Sequence, residues 1–565
     1  MKHYLPTGMP EHIDYPKGSA GDVLAGTARR HPDRIALRDG ELTLTYRQLY
    51  DSALRCAEGL RLRGVSPGQT VALHQPNSAW FTVTYYGILL AGAVVTPVNP
   101  ALPPLALRDQ LQEAGAVAVF THPATWAVLD RAAVDGVRLT VVVPATEAAP
   151  DPSSDAGRPS SGVPLDDLLA SPPAPATAVS GDDLAHLSFT GGTTGRSKAV
   201  RVLHRNLVAN VLQMSCWRGA ARPLTDGEGG IFLEHVPEAQ TANSFVLGES
   251  TGVSLAPLFH AMGLVSQTIS VATCSTVIVA GRFDAERFVR TIEQYGVTSV
   301  PGSPTLFHSL LALPGIEHAD LTSVRIVNSG AAPIDTHTMS RLHDLFPNAC
   351  VVEGYGLTEA TMALTAHPVL RDNPTPPGSV GAPLFDTEIE IRELGCGDPV
   401  PTGETGEVWA RGPQITDGYQ GHPELTAEQF QGGWLRTGDV GRFDEDGWLY
   451  LVGRAKDMLI YKGYNVYPTP LEELLHQHPA VADASVIGAP HPQAGEIPVA
   501  YVVLREGHSG GPELARELMG FVADRVAPYQ RVREVHFIET LPVSAAGKIL
   551  KTELRQRHST SAQHN

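Results

Sequence analysis

Apolar positions along the chain fall into two rhythms. Short runs of alternating or continuous β-branched residues at 70–73, 117–121, 140–143 and 276–280 predict strands, as does the run Leu184–Phe189. Between them, apolar residues spaced three and four apart predict helices over Tyr46–Leu62 and 284–295. This alternation favours α/β layers with substantial parallel sheet. The most apolar stretch, 85–95, is too short to span a bilayer and is closed by Thr96-Pro97, so it reads as a buried helix followed by a strand.

Two stretches break the rhythm. Residues 144–181 are rich in Pro, Ala, Ser and Asp and read as a surface excursion with one short helix, Leu165–Leu169. Residues 219–252 hold Asp226, Glu228, Glu234, Glu238 and Glu249 among glycines and prolines, which predicts a solvated loop or a wall of a pocket. After Gly453 the pattern becomes that of a small α+β unit of roughly 110 residues. Strands are expected there at 484–487, 499–504 and 535–538, and helices at 471–476 and 513–526. Thr469 as N-cap, Pro470 at the first position and Glu472 at the third predict a capping box for the first of these helices.

Composition narrows the function classes. A chain of 565 residues, 42% apolar and 18% charged, is a globular protein of several domains. Its net charge of −18 argues against a duplex nucleic-acid binder, which needs a basic face, yet leaves room for a nucleotide held by a few local donors. The five cysteines form no C-x-x-C, so neither a disulfide framework nor a zinc site is indicated, and a reducing cytoplasm is the expected setting. The N-terminal residues lack the apolar run of a signal peptide.

The chemistry is concentrated in Phe189-Thr190-Gly191-Gly192-Thr193-Thr194-Gly195-Arg196-Ser197-Lys198. Its glycines let backbone N–H groups turn inward as an anion nest, the threonines add hydroxyl donors, and Lys198 brings a positive charge to a polyphosphate. No Walker A register fits. Taken alone, such a turn reads as a flexible loop. Further motifs follow in order: Pro257-Leu258-Phe259-His260-Ala261-Met262-Gly263, Asn328-Ser329-Gly330-Ala331-Ala332-Pro333, and Gly354-Tyr355-Gly356-Leu357-Thr358-Glu359. Then come Gly406-Glu407-Val408-Trp409-Ala410-Arg411-Gly412, Trp434-Leu435-Arg436-Thr437-Gly438-Asp439, Gly453-Arg454-Ala455-Lys456-Asp457, and Pro542-Val543-Ser544-Ala545-Ala546-Gly547-Lys548.

In this order and spacing the set resembles the adenylate-forming superfamily of acyl-CoA synthetases, nonribosomal-peptide adenylation domains and luciferases, and covers nearly the whole chain. The resemblance implies a large N-terminal ATP- and acid-binding domain over 1–453, a hinge over 454–457 centred on Lys456, and a mobile C-terminal α+β lid over 458–565. It implies ATP-dependent adenylation of an acid, a fatty or aromatic carboxylate being favoured, with pyrophosphate release and transfer to a thiol, CoA above all. Carrier-protein loading, amide formation, nitrite activation for diazotising an aryl amine, and a non-catalytic AMP-binding protein are the alternatives. ATP, Mg2+ and CoA are the implied small molecules, a carrier protein is a further possible partner, and no membrane span is expected. The oligomeric state is left open.

By the same resemblance, Thr190, Gly191, Gly192, Thr193, Thr194, Gly195 and Lys198 cradle phosphates, and Gly330, Ala331, Ala332, Tyr355 and Gly356 receive the adenine. Asp439 and Arg454 reach the ribose, Thr358 the α-phosphate, and Glu359 the Mg2+. His260 borders the substrate carboxyl group, and Phe259-His260 lacks the Asp that amino-acid-activating relatives use for an α-ammonium group. Lys548 bridges acid and phosphate during adenylation, and Gly463 lines the thiol channel after rotation about Lys456. Three loop positions depart from the family pattern: Gly191 for Ser, Ser197 for Pro and Ala199 for Gly. The lost hydroxyl would weaken a pyrophosphate contact by about 0.5–1.5 kcal/mol. Pro470 stands where Glu is common, and Gln530 and Ser544 replace often basic residues. The acidic stretch 219–252, just before the His260 motif, points to a specialised substrate of secondary metabolism, and the three altered loop positions point to unusual chemistry such as nitrite activation.

Overall fold

The computed structural model describes residues 5, 8–150, 162–190, 197–330, 334–369, 376–543 and 549–562. Among them, four sheets and a separate hairpin carry the architecture. The first large sheet orders its strands Val163–Pro164, Leu139–Val142, Ala116–Thr121, Thr70–His74, Val94–Pro97, Leu184–Phe189 and Ala199–Leu203. All its pairings are parallel except the last, in which Ala199–Leu203 returns beside Leu184–Phe189. The second runs Ala382–Pro383, Thr365–Ala366, Cys350–Tyr355, Ile326–Ser329, Ser299–Gly302, Thr251–Ser254, Thr276–Val279, Ile35–Asp39 and Leu42–Thr45, parallel through its middle.

The helices between these sheets form for visible reasons. Tyr46–Leu62 starts at Thr45, whose hydroxyl accepts from Gln48 N while the Gln48 side chain accepts from Thr45 N. Leu49, Ala53, Cys56, Ala57 and Leu60 make one buried stripe at helical spacing. Ala79–Leu90 is apolar all round and buried nearly throughout, as a helix enclosed between two sheets must be. Ala285–Tyr295 is capped by Asp284 and ends at Gly296 in the left-handed conformation. On one face of the second sheet, Phe288, Ile292, Phe307 and Leu342 pack on Val300, Val327 and Val351.

A third, antiparallel sheet joins Glu388–Arg392, Gly406–Arg411, Trp434–Phe443, Phe430–Gln431 and Leu449–Arg454. Beyond Arg454 the chain builds its own sheet from Leu459–Tyr461, Tyr464–Val466, Val481–His491, Gly495–Leu504 and Glu534–Phe537, covered by Pro468–His476 and Pro512–Ala523. A large N-terminal domain of layered α/β sheets and a small α+β C-terminal domain is thus the observed fold class. Among the described residues no helix is long and apolar enough to cross a membrane.

Two expectations need correction. Residues 219–252 are not simply a solvated loop. Ala221–Thr225 and Ile231–His235 pair as an antiparallel hairpin, with Ile231, Phe232 and Leu233 buried. Asp226 at its tip accepts from Arg29 Nε and Nη2 at 2.8 and 3.0 Å, so that acid is locked rather than hydrated. Downstream, Asn243 Nδ2 donates to the carbonyls of Arg325 and Asn348, and Phe245 packs on Ile326, Cys350 and Val352, making this segment a wall over the second sheet. The second correction concerns the capping box. Thr469 is not an N-cap, because the helix starts at Pro468 after Tyr467. Prolines are tolerated in a first turn, whose N–H groups lack helical partners. Glu472 turns instead to Lys551 Nζ at 2.7 Å and accepts from Val486 N.

Candidate active site

The glycine- and threonine-rich loop leaves the strand Leu184–Phe189 and returns in Ala199–Leu203, so its ends are pinned as neighbours. Thr190 N donates to Lys198 O at 3.0 Å, and Ser197 Oγ donates to Thr190 O. Gly191, Gly192, Thr193, Thr194 and Gly195 lie outside the described residues. So do Ala331, Ala332 and Lys548.

Residues 417–420 add a rung beside Ala199–Leu203: Arg201 N donates to Gly418 O and Gln420 N to Ala199 O, at 2.8 and 2.9 Å. This places Tyr419 between the loop and the turn Thr358–Ala360 that follows Cys350–Tyr355. Lys198 Nζ stands 5.6 Å from the centre of the Tyr419 ring, and Tyr419 Oη donates to Glu359 Oε1 at 2.7 Å. Burial and the neighbouring Glu359 push the Tyr419 hydroxyl far above its usual range, so it stays a donor. The Glu359 carbonyl accepts from Thr416 N and Oγ1 at 3.0 and 2.9 Å, which fixes the turn carrying both Thr358 and Glu359. Gly356 is required here, since a Cβ would lie 1.8 Å from Met362 O. Tyr419 was not singled out from the sequence. It belongs to no quoted motif, and only the added rung brings it to Glu359.

Asp439 and Arg454 face each other across paired strands. Arg454 Nε donates to Asp439 Oδ1 at 3.0 Å, and Tyr355 Oη donates to Asp439 Oδ2 at 2.7 Å. Asp439 is buried, and its N–H donates to Thr437 Oγ1. Burial disfavours the Arg454 charge, but Asp439, then Tyr355, Asp457 and Glu359, outweigh it and raise the guanidinium above its ordinary value. Burial and then Asp439 keep the Tyr355 hydroxyl protonated. Lys456, three residues before Leu459, is lowered by burial and by Arg454.

His260 caps the helix Ala261–Ala272, its Nδ1 accepting from Met262 N at 3.4 Å. Gly330 faces this turn, for a Cβ there would stand 3.3 Å from Met262 Sδ. The segments 257–263 and 328–330 therefore flank one place. Gly463 is not brought to it. It sits on the exposed turn between Leu459–Tyr461 and Tyr464–Val466, with Lys462 before it at φ 49°.

The arrangement joins a hard carboxylate at Glu359, a cation at Lys198, and a buried acid and phenol, Asp439 and Tyr355, with the half-buried Arg454. A single carboxylate supplemented by phosphate oxygens and water suits Mg2+, so the donor set fits that ion.

Comparison with known proteins agrees. The family model described as AMP-binding enzyme matches residues 24–420, and that described as AMP-binding enzyme C-terminal domain matches 470–548. The chain is 30% identical to a long-chain-fatty-acid–CoA ligase of Bacillus subtilis (strain 168), covering 98% of this chain and 97% of that one. It is 33% identical to a feruloyl-CoA synthase of Amycolatopsis sp, covering 94% and 97%. The crystal structure of ATP-bound MatB from Rhodopseudomonas palustris superposes with a TM-score of 0.81 at 26% identity, over 96% of this chain and 99% of that one. The chain belongs to the AMP-binding enzyme family, as an acid–thiol ligase that uses ATP.

Proposed function

We propose that the protein activates a fatty or aromatic carboxylic acid as its acyl-adenylate and transfers the acyl group to CoA. A carboxylate oxygen attacks the α-phosphorus of ATP, a new O–P bond forms, and the bond to the departing pyrophosphate breaks. The thiol sulfur then attacks the acyl carbonyl, the thiol proton goes to solvent, and AMP leaves. The Asp439–Arg454–Tyr355 set, beside the Glu359–Tyr419–Lys198 chain, is the observation that carries this reading. It offers ribose acceptors and phosphate partners already oriented, as in-line phosphoryl chemistry needs.

In this reading Asp439 and Arg454 hold the ribose, Tyr355 and Gly330-Ala331-Ala332 take the adenine, and Thr190 to Lys198 take the β- and γ-phosphates. Thr358 contacts the α-phosphate and Glu359 holds Mg2+, which supplies charge neutralisation when bound. His260 borders the carboxyl group. Lys548 stabilises charge building between acid and phosphate. Since Lys548 follows the 454–457 crossing, the C-terminal unit (458–565) closes for the first step. It then turns about Lys456 so that Gly463 borders the thiol path. The long-chain fatty acyl and feruloyl relatives support an acid with an extended or aromatic body.

A screen of carboxylic acids and nitrite for ATP-dependent pyrophosphate release, each with and without CoA, tests the proposal. Release with an acid and formation of its CoA thioester by mass is the expected result. Release with nitrite alone, or with acids but never a thioester, would overturn it.

A further inference from the structure

The end of the helix His204–Gly219 presents a charge that no acid among the described residues answers. Arg218 is only 9% exposed. Its Nη2 donates to Asn328 Oδ1 at 2.6 Å, and its Nε is buried with no hydrogen-bond partner. One turn earlier on the same helix, Ser215 Oγ is also buried with no partner. Among the described residues no carboxylate forms an ion pair with Arg218. The titratable groups facing it are Cys350 and His367, and burial holds His367 neutral, at about 4.

A guanidinium cannot escape burial by losing its proton. Buried charges in proteins are paired or they cost several kcal/mol, so a lone one signals a partner supplied from outside. A purely structural arginine at this depth would meet a carboxylate or a fan of carbonyls. This one meets a single amide. Its position says where the partner sits. Asn328 lies two residues before Gly330, which faces Met262 two residues after His260. The segment 241–250, tied down by Asn243 and Phe245, closes the same side.

Building on the adenylation reading, we infer that Arg218, with Ser215 beside it, is a specificity residue that binds a second carboxylate at the far end of the substrate acid. The substrate class is then a dicarboxylate, or an aromatic acid carrying a further carboxyl group, rather than a plain fatty acid.

Matched pairs of diacid and monoamide of equal length, aliphatic and benzenoid, test this in the full-length protein. Each is measured for pyrophosphate release and, independently, for direct binding by calorimetry. Wild type is expected to favour the diacid over its monoamide on the order of 100-fold, the usual cost of leaving one buried charge unpaired. Arg218→Met is expected to bring that ratio close to one, and Arg218→Lys to restore part of it, with melting temperatures confirming that both variants fold. Equal treatment of the pairs by wild type, or an unchanged ratio in Arg218→Met, would overturn the assignment while adenylation stands. Diacid binding that depends on Arg218 without pyrophosphate release from any acid would keep the assignment and sink adenylation instead. Absence of both binding and release would sink both.

Discussion

The two ends of the site differ in how they treat charge. On the side proposed for the nucleotide, Asp439 is already engaged by Arg454 and Tyr355, and Glu359 by Tyr419, before any ligand is considered. At the end of His204–Gly219, Arg218 has an amide for a neighbour and a bare Nε. ATP is the same in every turnover of an enzyme of this family, so its contacts can be satisfied and rigid in advance, at little reorganisation cost. The acid differs from enzyme to enzyme, and a group left unsatisfied by the protein is selective for what satisfies it. In the proposed reading, rigidity marks the shared half of the reaction, and an unmet need marks the individual half.

The largest way to break this contrast lies outside both ends. Lys548→Ala is expected to lower acid-dependent pyrophosphate release by roughly 100- to 1,000-fold, the scale of one preorganised charge contact. It should leave thiol attack on a supplied acyl-adenylate largely intact, read by single-turnover thioester formation. Asp439→Asn comes next. Losing a charged acceptor is worth about 1.5–3 kcal/mol, so KM for ATP should rise by roughly 10- to 150-fold while the preference between acids stays as it was. A changed acid preference in that variant would mean that the two ends are coupled. Tyr355→Phe removes one donor to Asp439 and should cost only about 0.5–1.5 kcal/mol, seen as a KM for ATP raised by roughly 2- to 10-fold.

The remaining effect concerns stability rather than turnover, and it varies with pH. Burial, and then Glu473, hold the Glu353 carboxyl up at about 8, well above its usual value near 4.5. Between those two values the folded protein binds a proton that the unfolded chain has released, so stability falls as pH rises through this window and levels off above 8. Glu353→Gln should flatten that decline in melting temperature measured from pH 5 to pH 9. An unchanged slope would show that Glu353 is ionised in the fold.

Much of this was legible along the chain, and the rest was not for physical reasons. Tyr46–Leu62 declares itself because cap, stripe and length agree within one segment. Asp439 and Arg454 sit in contiguous motifs, so their pairing needed only a hairpin to realise it. Tyr419 and Arg218 carry no local signal. Tyr419 acquires meaning from a single bridge to Val200 at a sheet edge, and Arg218 from what is absent around it among the described residues. The hairpin Ala221–Thr225 with Ile231–His235 was hidden by Pro223 and by the glycines of its turn, which read as irregular. The start at Pro468 was hidden because a Thr-Pro-x-Glu run looks like a cap even when its Glu is drawn away to Lys551.

That ion pair has a mechanical consequence. Lys551 is clamped to Glu472 at 2.7 Å, and one turn later Arg555 is clamped to Asp457 at 3.0 Å. The helix Lys551–Ala562 is thereby riveted at one point to the body of the small unit and at another to the crossing just after Arg454. A load applied at the crossing would pass through this strut into the body of the small unit. Any rotation at the crossing would therefore carry this helix and the sheet of the small unit together, with no slack between them.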